Sequence, residues 1–95
     1  MSRGRYFLER LADETELGAE PIPGQPVIEI VGDRRVLIEN HYGVKGYSRE
    51  QIIVNVKFGC VHVCGCGLEL VRMTSEQLII RGRIDAVTLQ RRGNG

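Results

Sequence analysis

The sequence predicts a mainly β domain, and three observations support that prediction. Runs of Val, Ile and Leu recur from residue 27 to residue 89. The chain of 95 residues has twelve glycines, and seven of them lie among these runs, which is typical of strands separated by turns. Residues 47–63 also align without gaps to residues 73–89, 26 positions later. We therefore expect a short N-terminal helix and about seven short strands in a curled sheet with two similar halves, or alternatively a short β-solenoid-like stack.

The composition describes one globular domain of ordinary character. The chain is 42% hydrophobic and 26% charged, which argues against disorder. Its net charge of +1 argues against general electrostatic binding of nucleic acid, and we expect no nucleic-acid partner. No apolar run approaches the roughly 20 residues of a membrane-spanning helix, so we expect no direct membrane insertion.

Residues 5–17 are the segment with helical periodicity. Their apolar residues share one face of a helix, and acidic and basic residues occupy the other face. The apolar residues are Phe7, Leu8, Leu11 and Ala12. This pattern predicts a helix that covers one end of the sheet or, alternatively, docks on a partner. Residues 18–26 hold three prolines and two glycines, which predicts an extended connector.

Seven strands are predicted after the connector. They cover residues 27–31, 36–40, 52–56, 60–64, 68–71, 78–80 and 84–89. The segment 41–50 is polar and carries two glycines, which predicts a loop. The single domain then spans residues 5–89, including the helix over 5–17, with flexible ends at 1–4 and 90–95.

The aligned segments predict two similar strand–turn–strand–strand units. Ser48-Arg49-Glu50 and Thr74-Ser75-Glu76 occupy matching places, and their hydroxyls are suited to bonding nearby backbone amides in polar corners. Two such units form the halves of a rolled sheet or barrel, or a stack completed by self-association. Chance similarity between Ile- and Val-rich strands is the alternative explanation.

The order of these features resembles a family of sporulation proteins. Residues 36–44 read VLIENHYGV, which resembles the block IENH-x-G-I/V of YqfC-type proteins. The elements that follow in that pattern are an aromatic residue, a Thr/Ser-x-Glu turn, a β-run and a glycine: here Tyr47, Ser48-Arg49-Glu50, residues 52–56 and Gly59. Residues 62–68 and 78–89 match the later elements. The chain thus resembles the YabP/YqfC family, and its YqfC branch, over residues 5–89.

The resemblance implies a non-enzymatic interaction or assembly module in endospore formation. It implies a protein partner that is anchored in a membrane, and a place in the cytoplasm of the mother cell or, through the partner, at the forespore membrane. It implies no reaction, so we expect neither enzymatic activity nor a cofactor. A homo-oligomer is a further expectation, because an unclosed sheet leaves edges that pair with other chains.

The predicted contact with the partner consists of four residues: Glu39, Asn40, His41 and Tyr47. The first three follow an apolar strand, and Glu39 and His41 share a face if that strand continues. A carboxylate beside an imidazole is a possible acid–base pair, but no nucleophile or oxyanion donor accompanies it. The alternative is structural: Asn40 ends the strand, His41 bonds to backbone, and Tyr47 covers the sheet.

The cluster Cys60, His62, Cys64 and Cys66 is the candidate metal site. Its first three members alternate along one strand and span about 13 Å, whereas one tetrahedral zinc ion needs every ligand at about 2.0–2.3 Å. We therefore predict packed thiols and no metal. A metal- or thiol-dependent sensor is the alternative function. The YabP/YqfC resemblance does not extend to these cysteines.

Overall fold

The computed structural model describes residues 23–93, which form one antiparallel sheet of six strands. The strands are β1 (Val27–Val31), β2 (Arg35–Glu39), β3 (Val44–Tyr47), β4 (Gln51–Val56), β5 (Gly59–Met73) and β6 (Gln77–Arg91). Their order across the sheet is β1-β2-β6-β5-β4-β3. The predicted helix over 5–17 and the predicted flexible residues 1–4 lie outside the described residues. The mainly β prediction is confirmed, whereas the described strands pair antiparallel and do not form the alternative solenoid-like stack.

Four of the predicted strands merge into two long ones. Residues 60–64 and 68–71 both belong to β5, and residues 78–80 and 84–89 both belong to β6. The glycines between them lie inside strands, where the ladder of β5 and β6 is irregular. A Cβ at Gly65 would collide with the carbonyl of Arg83 on the neighbouring strand. Glycine here permits close approach of two bent strands and does not reverse the chain.

The polar segment 41–50 contains a strand that its composition does not reveal. β3 has four residues, and it pairs with β4 through a register shift between Val44 and Gly46. Two merged pairs and this extra strand turn the seven predicted strands into six. At the other end of the chain, β6 runs to Arg91, two residues beyond the predicted end of the domain.

The hairpins β3–β4 and β5–β6 have the same register at an offset of 26 residues. Opposite residues in the first hairpin are Val44 and Val54, Gly46 and Ile53, and Tyr47 and Ile52. Opposite residues in the second are Leu70 and Ile80, Arg72 and Ile79, and Met73 and Leu78. Each hairpin skips one residue at the same place. This offset is the one at which residues 47–63 align to residues 73–89.

The two hairpin turns are held by the same hydrogen bonds. Ser48 Oγ accepts from the amides of the residues two and three positions later, at 3.2 and 3.0 Å. Thr74 Oγ1 does the same, at 3.3 and 3.0 Å. Each hydroxyl also donates to the carbonyl three residues on. The polar corners expected from the sequence are therefore hydroxyl-capped turns.

The equivalence of the aligned segments ends after Val56 and Gly82. β4 is followed by a turn at residues 57–58, whereas β6 continues through Gly82 without reversing. Residues 57–63 and 83–89 therefore do not take equivalent places. The predicted pair of strand–turn–strand–strand units is wrong in its last strand.

Two four-stranded groups share the long strands instead. The first leaf, as we name it, contains β1, β2, residues 77–81 of β6 and residues 69–73 of β5. The second leaf contains residues 84–91 of β6, residues 59–64 of β5, β4 and β3. In this comparison β2 corresponds to residues 59–64 of β5, and residues 77–81 of β6 correspond to β4. The pairing of β2 with β6 has the same register as the pairing of β5 with β4. Likewise, β1 corresponds to the end of β6, and the pairing of β1 with β2 has the same register as the pairing of the end of β6 with β5.

The inward-facing side chains of both leaves form one hydrophobic core. Four pairs of equivalent positions are fully buried: Val36 and Val61, Ile38 and Val63, Ile52 and Leu78, and Val54 and Ile80. Burial of each such aliphatic side chain stabilises the fold by about 1.5–3 kcal/mol. Each leaf therefore contributes a matching half of the core.

Candidate functional site

Asn40 joins three segments at the end of β2. Its φ of 64° is the one positive φ among the non-glycine residues from 23 to 93, and asparagine tolerates this conformation better than most residues. Its amide donates to the carbonyl of Glu76 at 2.6 Å, and its Nδ2 donates to the carbonyl of Gln25 at 2.9 Å. Asn40 thus ends the strand and ties the connector to the β5–β6 turn.

His41 is buried, with 8% of its surface exposed. The amide of Gly43 donates to Nδ1 at 3.0 Å, so Nδ1 is an acceptor and the proton of the neutral ring is on Nε2. Nε2 then donates to the carbonyl of Thr74 at 2.9 Å. Both ring nitrogens are used by backbone groups. The imidazole therefore has no nitrogen left for acid–base chemistry with Glu39.

Glu39 and Asn40 line a cleft of about 280 Å³ on the first leaf, with the other walls formed by Arg72, Thr74, Glu76 and Gln77. Glu39 Oε2 accepts a hydrogen bond from Gln77 Nε2 at 3.2 Å. Glu39 also lies opposite Val27, the first residue of β1. The cleft therefore adjoins the start of the outermost strand. The buried His41 supports the wall of the cleft through its hydrogen bond to the carbonyl of Thr74.

Tyr47 belongs to the second leaf, at the end of β3. Its side chain is exposed, and its hydroxyl accepts a hydrogen bond from the amide of Leu70 at 3.4 Å. This bond connects β3 to β5. The structure places Tyr47 on a different leaf from Glu39, so the four predicted contact residues do not form one cluster of contacting side chains.

The cysteine cluster lies on the outer face of β5. Val61 and Val63 point into the core while Cys60, His62 and Cys64 are half-buried on the other face, which confirms the predicted alternation. Amide side chains of β4 contact this row: Cys60 Sγ donates to Asn55 Oδ1 at 3.7 Å, and Gln51 Nε2 donates to Cys64 Sγ at 3.6 Å. All three thiols are free, and Cys66 is exposed.

Within residues 23–93 there is no group of three His, Cys, Asp or Glu side chains arranged to hold a metal ion. Beside Cys66, the neighbouring strand carries Arg83. The hydrogen bond that the Arg83 guanidinium donates to the Asp85 carboxylate raises the pKa of Arg83 above its usual value, and the negative charge of Asp85 acts in the same direction. Arg83 and Asp85 thus form an ion pair at this bend of the sheet.

The outermost strand is the feature that the sequence did not single out as functional. β1 is one end of the sheet, and Ile30 and Val31 are 51% and 46% exposed. Leu89 occupies the position in the second leaf that Ile30 occupies in the first, and it is 57% exposed. The signal in the sequence is a β-branched run between a proline and a glycine turn, which predicts a strand but not its position in the sheet.

The part of the chain from 23 to 93 has no helix of the length and apolar character needed to cross a membrane. A model of the YabP family matches residues 24–95, a range that takes in every described strand. The match does not distinguish the predicted YqfC branch from the rest of that family. Comparisons with curated proteins and with solved structures give no match.

Proposed function

Because the chain belongs to the YabP family, we propose that it is a non-enzymatic interaction module of endospore formation. Its partner is a membrane-anchored sporulation protein, which it meets from the cytoplasm of the mother cell. Within the family, we propose that the chain belongs to the YqfC branch. A role as a companion protein also agrees with the backbone-bonded state of both His41 nitrogens.

The exposed edge at β1 is the observation that supports this proposal. A sheet edge presents backbone donors and acceptors to which another chain can add a strand. β1 reads VIEIV, and within residues 23–93 it pairs with β2 alone. Ile30 and Val31 add exposed apolar surface to that edge. An added strand would therefore gain both backbone hydrogen bonds and side-chain burial.

The opposite edge of the sheet is less suited to strand addition. β3 has four residues, among them Lys45 and Gly46, and its ladder with β4 is irregular. A lysine and a bulge are features by which proteins protect an edge from pairing. The comparison between the two ends of the sheet therefore favours β1.

The predicted contact residues Glu39 and Asn40 lie at the start of the same edge. Glu39 is opposite Val27, so a strand added along β1 would end at the cleft that Glu39 lines. The carboxylate and amide groups there would give the contact its specificity, while β1 supplies most of its area. Tyr47 remains a predicted contact at the other end of the sheet.

An affinity pull-down from sporulating cells tests this proposal with two matched variants. Ile30→Lys places a charge on the β1 edge, and Leu89→Lys places the same charge at the equivalent position of the second leaf. We expect one membrane-anchored sporulation protein to co-purify with the wild type and with Leu89→Lys, and to be lost with Ile30→Lys. Equal recovery with both variants would show that β1 is not the contact.

A further inference from the structure

The long strand β6 has a second edge, which the order of strands across the sheet does not reveal. Residues 77–81 of β6 pair with β2 on one side and with β5 on the other. Among the residues from 23 to 93, residues 86–91 pair with β5 alone, over six consecutive pairs without a register shift. We call residues 85–91 the β6 edge. It belongs to the second leaf, whereas β1 belongs to the first.

The β6 edge is more regular than two of the other strands that end a leaf. β3 in the second leaf and residues 69–73 of β5 in the first each skip one residue in their ladders. Such bulges protect an edge from pairing with another chain. In the described part of the chain, the regular leaf edges are therefore β1 and the β6 edge.

Backbone groups alternate in direction along the β6 edge. The amide of Arg92 donates to the carbonyl of Phe58 at 2.9 Å, just beyond the paired ends of β6 and β5. Since every second residue of an antiparallel ladder makes such bonds, the even-numbered residues of the β6 edge direct their backbone groups to β5. Val87, Leu89 and Arg91 therefore direct theirs away from β5, as a template for another strand.

Two of these residues also offer apolar side chains that continue the core. Val87 and Leu89 lie opposite the buried Val63 and Val61. Val87 packs against the core, whereas Leu89 is mostly exposed. A strand added at the β6 edge would therefore cover Leu89 as well as bond to the backbone.

The β6 edge is complementary to itself in one antiparallel register. When Thr88 lies opposite Thr88 of a second copy, Val87 lies opposite Leu89 of that copy, and Arg91 lies opposite Asp85. Threonine pairs, apolar pairs and pairs of opposite charge are all favourable across antiparallel strands. Val87 and Leu89 also direct their backbone groups to the same side, so they exchange hydrogen bonds in this register.

The neighbouring symmetric registers are less favourable. A pairing centred on Val87 places Asp85 opposite Leu89 of the second copy. A pairing centred on Leu89 places Arg91 opposite Val87. Each of them sets a charged side chain against an apolar one, which costs part of its solvation without providing an opposite charge. The order of residues therefore favours the register centred on Thr88.

Both charged groups at the ends of the β6 edge have room for this contact. The Asp85 oxygens each accept one hydrogen bond from Arg83 at 3.2 Å, and each keeps a further lone pair. The guanidinium of Arg91 lies over the ring of Phe58, 5.8 Å from its centre. A contact through the face of the guanidinium leaves its N–H donors for a carboxylate.

We propose that two copies of the chain pair through the β6 edge, antiparallel and centred on Thr88, so that their second leaves form one continuous sheet. Both copies use the same residues, so the contact closes on two copies and does not propagate. The interface is small, and the dimer therefore dissociates on dilution. It is independent of the contact proposed at β1, and either can fail without the other.

Disulfide crosslinking tests the register directly. Thr88→Cys, made together with Cys60→Ser, Cys64→Ser and Cys66→Ser, places one thiol of each copy at the symmetry axis. Opposite residues of this non-hydrogen-bonded kind have Cα atoms about 4.5 Å apart, which a disulfide can span. Oxidised glutathione takes up the two electrons and two protons that the thiols lose, and becomes two reduced molecules. We expect a covalent dimer that reduction separates.

Ala86→Cys and Gln90→Cys in the same serine background are the matched controls, because both residues are exposed on the face that carries Thr88. In the proposed register each lies about 13–14 Å from its own copy and directly opposite the other residue. We expect no covalent dimer from either variant alone and a covalent dimer from their mixture. No dimer with Thr88→Cys, or equal dimer with all three variants alone, would overturn the proposal.

Sedimentation of the chain with its native cysteines, under reducing conditions, tests the dimer without a crosslink. We expect the mass of the wild type and of Ile30→Lys to rise with protein concentration from 10.7 kDa towards twice that value. Leu89→Lys should stay at 10.7 kDa, although it keeps the membrane-anchored partner in the pull-down. A monomeric wild type, or a dimer that survives Leu89→Lys, would overturn the proposal and leave the contact at β1 unaffected.

Discussion

At the scale of single residues, the fold depends on glycines where two bent strands approach closely. Gly65 faces the carbonyl of Arg83, and Gly82 faces the backbone of Gly67 and Leu68. A side chain at either position would have to push a strand away. Glycine in such a place is a packing requirement, whereas the sequence alone suggests a turn.

Replacing Gly65 by alanine is expected to destabilise the protein strongly. The added Cβ would overlap the Arg83 carbonyl, so the β5–β6 ladder must shift, at a cost of about 2–4 kcal/mol. Gly93→Ala is the matched control, because a Cβ there has nothing within 4 Å. Urea unfolding of both variants measures the difference. Equal midpoints would contradict the close approach at Gly65.

His41 is expected to contribute stability and not chemistry. His41→Ala leaves the Gly43 amide and the Thr74 carbonyl without their partner in a largely buried place, which costs about 1–3 kcal/mol. Glu39→Ala removes one hydrogen bond to Gln77 from a half-buried position and is expected to cost about 1 kcal/mol or less. Thermal unfolding of the two variants compares them. A larger loss of stability for Glu39→Ala than for His41→Ala would contradict the structural role of His41.

At the scale of elements, the β3–β4 and β5–β6 turns are two copies of one design. Ser48→Ala and Thr74→Ala each remove a hydroxyl that accepts two amides and donates to one carbonyl. We expect each substitution to cost about 0.5–1.5 kcal/mol, with similar values for the two sites. Chemical denaturation of both variants and of the double variant checks this. A clear inequality between the two losses would contradict the equivalence.

The outer row of β5 is expected to bind no metal. Its cysteines and histidine contact amide side chains of β4, and they are spread along one strand. The purified protein should contain less than about 0.1 zinc per chain, since a tetrahedral site needs converging ligands. Elemental analysis after mild chelation measures this, with Cys60→Ser/Cys64→Ser as the control for thiol-bound metal. One zinc per chain, lost in that variant, would revive the sensor function.

The sequence predicts some strands of the sheet accurately and others poorly. Strands at 27–31, 36–40 and 52–56 are predicted within one residue of their observed bounds, because alternating or continuous apolar runs mark them clearly. The long strands are cut in two by the prediction, since glycine looks the same in a turn and in a close approach. β3 is missed because half of its four residues are Lys and Gly, and its partner β4 determines its conformation.

The candidate site could be predicted only in part. The IENH block at 38–41 is a structural joint as well as a surface, since its Asn40 and His41 bond to backbone across the fold. Neither residue shows from sequence which groups it will meet, because those groups lie 15 and 33 positions away. The β1 edge depends on the strand order of the sheet, which no local pattern encodes.

At the scale of the whole molecule, two leaves that share β5 and β6 form one core and leave unlike outer surfaces. Equivalent positions carry the buried aliphatic residues of both leaves. The exposed positions differ, with a polar cleft and an apolar edge on the first leaf and a trough lined by Lys45, Arg91 and Arg92 on the second. The strand addition proposed at β1 would use the apolar edge of the first leaf and leave the second leaf uncovered.

Hydrogen–deuterium exchange of the chain with its co-purified partner tests the central claim most directly. If the partner adds a strand to the sheet, the amides of residues 27–31 should exchange more slowly in the complex than in the free chain. The amides of residues 44–47, on the opposite edge, should exchange at the same rate in both. Slower exchange at 44–47 with no change at 27–31 would contradict the proposed use of β1.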